Sequence, residues 1–153
     1  MLNISKTIDN EVIKSIITTP KLFQLTYGQG INSEDYQVKE GWNYYLGKWD
    51  NEILVLFQTR EFTKKVLEVH IYCLPKFWGT EVPEIVSKKF MEYIKDKTKF
   101  TSLMTDVPVD CKPVHKLIEK LHGKCIGLIK NGCIYNNRSQ DLILYQYELT
   151  NEI

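Results

Sequence analysis

The sequence predicts an α/β (α+β) fold: a mixed central sheet made of an antiparallel meander followed by β-α-β-α-β-β, with helices on both faces. Three observations predict it. Residues 66–94 read as a strand, a glycine-containing turn and a helix. Before them stand two β-rich runs joined by short turns, and after them a strand, an amphipathic helix and a closing hairpin. A helical crossover between residues 66–74 and 101–107 lets those two strands run parallel, whereas hairpin-joined neighbours run antiparallel.

Residues 2–4 predict a short first strand. Asp9 is a helix cap, followed by Val12, Ile13, Ile16 and Ile17 on one face. Pro20 interrupts, and residues 21–26 add a helical turn. Residues 27–41, YGQGINSEDYQVKEG, form a long surface loop of the kind that suits a lid over a site. Residues 42–49 are a strand, Asp50-Asn51 a hairpin turn, residues 52–61 a strand and residues 62–65 the next turn. In the following strand, Leu67, Val69, Ile71 and Cys73 point one way and Glu68, His70 and Tyr72 the other.

Leu74-Pro75 stops that strand, and Gly79 sits in the turn before a helix over residues 82–95. Its Val82, Ile85, Val86, Phe90, Tyr93 and Ile94 recur at helical spacing. A turn that opens a helix presents backbone N–H groups able to hold an anion. Residues 101–107 are the next strand. Asp110 then caps a helix with Val114, Leu117, Ile118 and Leu121 on one stripe, ended by Gly123. Residues 124–135 and 141–149 close the chain as two strands around a turn at 136–140.

A chain of 153 residues suits one domain, 1–153, with a proper core. A net charge of +1 lacks the basic bias of a nucleic-acid binder. No apolar run approaches the roughly 18–20 residues of a membrane span, and MLNISKTIDN has no signal-peptide core. The expected location is cytoplasmic. Cys73, Cys111, Cys125 and Cys133 form no C-x-x-C pair, so no zinc site is expected and the thiols read as buried or half-buried. No G-x-S-x-G is present for a serine hydrolase. Tyr27, Tyr36, Trp42, Tyr44 and Tyr45 cluster in and after the long loop, as walls of an acceptor pocket or as core.

The order of elements resembles the GCN5-related N-acetyltransferase (GNAT) fold over residues 42–149. Glu68-Val69-His70-Ile71 through Pro75-Lys76-Phe77-Trp78-Gly79 resembles that family's fourth strand and acetyl-CoA turn. In the ribosomal-protein N-terminal acetyltransferase subgroup this turn often reads Pro-x-x-Trp-Gly-x-Gly. Val107-Pro108 with residues 116–121 resembles the fifth strand and its helix, and residues 126–142 the closing hairpin. Phage-encoded GNAT-like proteins with a Glu-x-His-Ile strand look similar too.

The resemblance implies an acetyl-CoA-dependent N-acetyltransferase, with acetyl-CoA as co-substrate and an amine acceptor at a protein N-terminus or on a small molecule. It implies Glu68 or His70 as the general base, and Tyr72, Leu74, Lys76, Trp78, Gly79 and Thr80 as cofactor-binding residues. Lys76 takes the place of the family's first cationic position. Glu81 stands where a small residue lets backbone approach phosphate, and Pro83 removes one N–H. A carboxylate near a diphosphate costs roughly 1 kcal/mol per charge pair in water. Ile118 occupies the position of the family's tyrosine acid, with Cys111 and His115 as substitutes one turn apart. The alternative is a non-catalytic GNAT-fold phage protein, an accessory module among virion proteins in the host cytoplasm or the virion. The last strands leave a homodimer open.

Overall fold

The computed structural model describes residues 1–26 and 31–149; the expectations placed on Tyr27, Gly28 and Gly30 lie outside the described residues. The elements in order are β1 (Leu2–Thr7), α1 (Asn10–Ile17), α2 (Pro20–Thr26), β2 (Asn43–Trp49), β3 (Glu52–Glu61), β4 (Val66–Cys73), α3 (Val82–Lys97), β5 (Ser102–Pro108), α4 (Lys112–Lys120), β6 (Lys124–Tyr135) and β7 (Arg138–Glu148). Short 3-10 turns fall at Ser33–Asp35 and Pro75–Phe77. The strands form one sheet in the order β1-β2-β3-β4-β5-β7-β6. Every neighbouring pair is antiparallel except β4 and β5.

Strand alternation divides the core in two. On one face α3 and α4 bury Val86, Phe90, Ile94 and Ile118 against Val55, Phe57, Leu67 and Leu103. Phe57 and Phe90 stack there with ring centroids 4.0 Å apart. On the other face α1 and α2 bury Ile13, Ile17, Leu22 and Phe23 against Tyr44, Leu46, Leu56 and Tyr72. The Asp9 carboxylate caps α1 by accepting from the N–H groups of Glu11 and Val12.

Several expected boundaries shift for identifiable reasons. β1 runs to Thr7 because β2 pairs with it along its whole length. The last turn shortens to Asn136-Asn137. Both residues have positive φ, as a two-residue primed turn requires, so β7 already begins at Arg138. Asp110 does not cap α4: its carboxylate accepts from Arg138 Nη2 at 2.7 Å, and Cys111 stands at the cap position. Gly123 does not supply the left-handed residue after α4, which is His122 at φ +62°. The Gly123 N–H bonds to Ile118 O and the His122 N–H to Glu119 O, a Schellman closure. Gly123 serves close packing instead, because a Cβ there would lie 2.6 Å from Ile118 Cγ2. Ile85 is half-exposed, since Val86, Phe90 and Ile94 alone form the row that α3 buries most deeply. Cys125 is exposed on β6.

Gly47 on β2 lies directly under α3. A Cβ there would sit 2.4 Å from Val86 Cγ1, a stiff side chain with no room to retreat. Gly47→Ala is therefore expected to lower unfolding free energy by about 1–3 kcal/mol. Gly127→Ala, where the nearest atom is 3.6 Å away, serves as the mild control in the same denaturant titration.

Candidate functional site

The β4–β5 ladder holds for Val66↔Ser102, Leu67↔Leu103 and Glu68↔Met104, and then stops. β4 stays paired with β3 as far as Cys73, and β5 stays paired with β7 as far as Pro108. The facing edges of residues 69–73 and 105–108 therefore part and leave main-chain groups without a strand partner. Such groups favour an extended ligand that can pair with them. The opening is a cleft of about 790 Å³ that passes from the α2 side of the sheet to the α3/α4 side.

At the α2 side of the cleft stands a charged cluster. Arg60 and Glu68 are cross-strand partners in the β3–β4 register. Glu68 is buried at 4% exposure. Its Oε1 accepts from Arg60 Nε at 3.0 Å, and its Oε2 lies 2.7 Å from His70 Nε2. The His70 hydrogen bond, with Arg60 behind it, outweighs burial and holds the Glu68 carboxyl below its ordinary range. An ionised carboxylate only accepts, so the Glu68 contact places a proton on His70 Nε2. Trp42 packs against the imidazole at 5.7 Å between centroids, and Arg60 lies over the indole at 4.4 Å. Asp106 of β5 completes the group: one ligand atom from each of Glu68, His70 and Asp106 falls within 4.8 Å of the others.

The expected turn has a different geometry from the one the sequence suggests. Gly79 has φ +76° with open space where a Cβ would stand, so glycine answers to backbone conformation there. The expectation that this turn holds an anion through its backbone N–H groups is narrowed. Trp78 N–H donates to Pro75 O and Thr80 N–H to Phe77 O. Of these three amides, only that of Gly79 has no acceptor among the described residues. The Val82 N–H is taken by Thr80 Oγ1. Trp78 lines the cleft, and its Nε1 donates to Cys73 O at the end of β4.

The residues predicted for the site divide into two groups. His70, Tyr72, Trp78, Gly79 and Thr80 line the cleft. The Tyr72 phenol donates to Gln58 Oε1, and Glu68 lies buried behind His70. Leu74 and Lys76 are not among the lining residues. Leu74 packs with the α1/α2 core, and Lys76 Nζ is bound to Glu52 Oε2 at 2.7 Å. Ile118 is buried. The two proposed stand-ins for an acid separate. Cys111 lines the cleft, whereas His115 is tied to Tyr145 OH and Pro108 O. Tyr36 and Tyr44 belong to the α1/α2 core, and Tyr45 packs with Phe90 and Tyr93 on the other face. Burial raises the Cys73 thiol to about 11, which keeps it protonated.

Sequence reasoning missed Asp106, Arg60 and the lysines Lys112, Lys116 and Lys120, all three of which line the α3/α4 side of the cleft. Asp106 lies two residues beyond Met104, the register partner of Glu68, so the β4–β5 register is what brings it to the cluster.

The family described as "Protein of unknown function (DUF2824)" matches residues 9–152, and the chain belongs to that family. The chain is 28% identical over 117 residues to protein p31 of Acyrthosiphon pisum secondary endosymbiont phage 1, covering 75% of this chain and 74% of that one. Spermidine N-acetyltransferase from Vibrio cholerae, solved with CoA and spermine, superposes with a TM-score of 0.79 at 12% identity, over 97% of this chain and 95% of that one. The ribosomal-protein-S18-alanine N-acetyltransferase from Escherichia coli superposes with a TM-score of 0.73 at 10% identity, over 98% and 95% of the two chains. The chain has the GNAT fold, with the mixed sheet and helices that the sequence predicted.

The depressed Glu68 carboxyl is a stability statement. A group whose folded value lies below its unfolded one stabilises the fold above the unfolded value, about 4.3, and loses that contribution as pH falls through the folded one. Glu68→Gln is expected to cost about 1–3 kcal/mol near pH 7, with the gap to the wild type closing as pH falls below about 4. Urea titrations across this range check it; an equal gap at every pH would contradict the assigned charge.

Proposed function

We propose that this chain is an acetyl-CoA-dependent N-acetyltransferase that moves an acetyl group to an amine by direct attack. The observation that carries this reading is the cleft between β4 and β5: it is open, and its bare strand edges suit the amide-bearing arm of a coenzyme A thioester. An interaction module with a side-chain-filled gap fits this cleft poorly. The Vibrio cholerae neighbour that was solved with CoA and spermine shares this fold and adds support.

In the proposed reaction the amine nitrogen attacks the thioester carbonyl carbon. A C–N bond forms, the C–S bond breaks and coenzyme A leaves as a thiolate. His70 Nδ1 takes the proton from the nitrogen, and the ionised Glu68 steadies the imidazolium through Nε2–H. Asp106 adds a second carboxylate at the same mouth, which favours an acceptor that arrives as a cation. Trp42 and Arg60 fix the imidazole and the carboxylate. The thiolate takes its proton from water in the open cleft or from Cys111 on its wall.

Calorimetric titration with acetyl-CoA and with CoA tests the reading. Micromolar affinity is expected, lost on Gly79→Asp; no heat at millimolar ligand would overturn it. With a polyamine or a peptide N-terminus as acceptor, His70→Gln is expected to lower kcat by about 100-fold or more while leaving CoA affinity within about twofold. An unchanged kcat would remove His70 from the role of base.

A further inference from the structure

We propose that the phosphate-bearing end of the donor is held by a lysine row on α4, Lys112, Lys116 and Lys120, rather than by the turn that opens α3. This inference rests on the coenzyme A reading above. The three lysines follow one another at intervals of four, so they share one helix face. At 1.5 Å rise per residue the row is about 12 Å long, enough to meet more than one phosphate group. All three line the cleft, as do Gly79, Thr80 and Pro83.

The α3 turn is poorly equipped for the same task. Its Trp78, Thr80 and Val82 amides already have acceptors and Pro83 has no N–H, so the turn keeps the Gly79 amide but not a full cradle of N–H groups. Glu81 and Glu84 bring negative charge to the start of α3, and Lys76 is turned away onto Glu52. The α4 lysines, in contrast, have no ion-pair partner among the described residues. Asp110 is engaged by Arg138 and Glu84 by Lys88. A phosphate group is thus the natural counter-charge for this wall.

The charges also give the cleft a direction. Glu68 and Asp106 mark the α2 side, and the lysines mark the α3/α4 side. Arg60 and Lys39 offset the carboxylates on the first side, so it is the lysine row that draws a polyanionic donor.

The test is CoA calorimetry on the full chain at about 50 mM and about 500 mM salt. It compares the wild type with Lys112→Gln/Lys116→Gln/Lys120→Gln and with Lys76→Gln, each checked for an unchanged thermal melt. The triple variant is expected to bind at least about tenfold more weakly at low salt and to lose most of the wild type's salt dependence. Lys76→Gln is expected to match the wild type. A triple variant with wild-type affinity and salt dependence, or a loss seen with Lys76→Gln instead, overturns the lysine row and leaves the donor reading standing. A wild type that binds no CoA at either salt overturns both.

Discussion

β4 and β5 share three register pairs and then separate, and most of what is distinctive in this molecule follows from that separation. Each strand keeps its outer neighbour, so each is rigid as far as its end. The inner edges are left with main-chain groups that have no strand partner, in a cleft wide enough to hold a ligand. A sheet edge exposed in this way is normally covered or blunted. Here it faces a lined cleft instead, with α3 beginning on one side and α4 on the other. The split also fixes which side chains meet: just past the last paired rung, His70 of β4 and Asp106 of β5 approach across the opening.

The second constraint is the buried carboxylate of Glu68. Burying a charge is costly unless it is paired and hydrogen-bonded. Arg60 from the neighbouring strand and His70 from the same strand supply both contacts, and Trp42 joins them by stacking on each. The result is an imidazole held by Nε2 against a buried anion, on a residue that lines the cleft. The sequence offered Glu68 and His70 as alternatives for one role. The geometry gives them different positions, one buried as an orienting anion and one on the cleft wall.

Much of this was legible beforehand, and the parts that were not share a cause. Alternation along residues 66–74 placed Glu68, His70 and Tyr72 on one face, and the element order gave the mixed sheet. Both depend only on local periodicity. Arg60 and Asp106 could not be joined to Glu68 without the strand registers, which are tertiary facts. The turn at Gly79 was read correctly as a strand-to-helix junction. Which of its amides would be free depended on the 3-10 turn at Pro75–Phe77, whose carbonyls take the Trp78 and Thr80 N–H groups. His122, not Gly123, takes the left-handed position, and Gly123 leaves the space that Ile118 and Tyr147 occupy. Sequence alone does not distinguish a glycine needed for φ from one needed for space.

In the proposed function the parted edges of β4 and β5 seat a coenzyme A thioester. Residue-resolved amide hydrogen exchange, with and without saturating CoA, tests it most directly. CoA is expected to slow exchange in residues 69–73 and 105–108, with β1, β2 and β6 unchanged. Protection confined to other elements, or none at all, would contradict it.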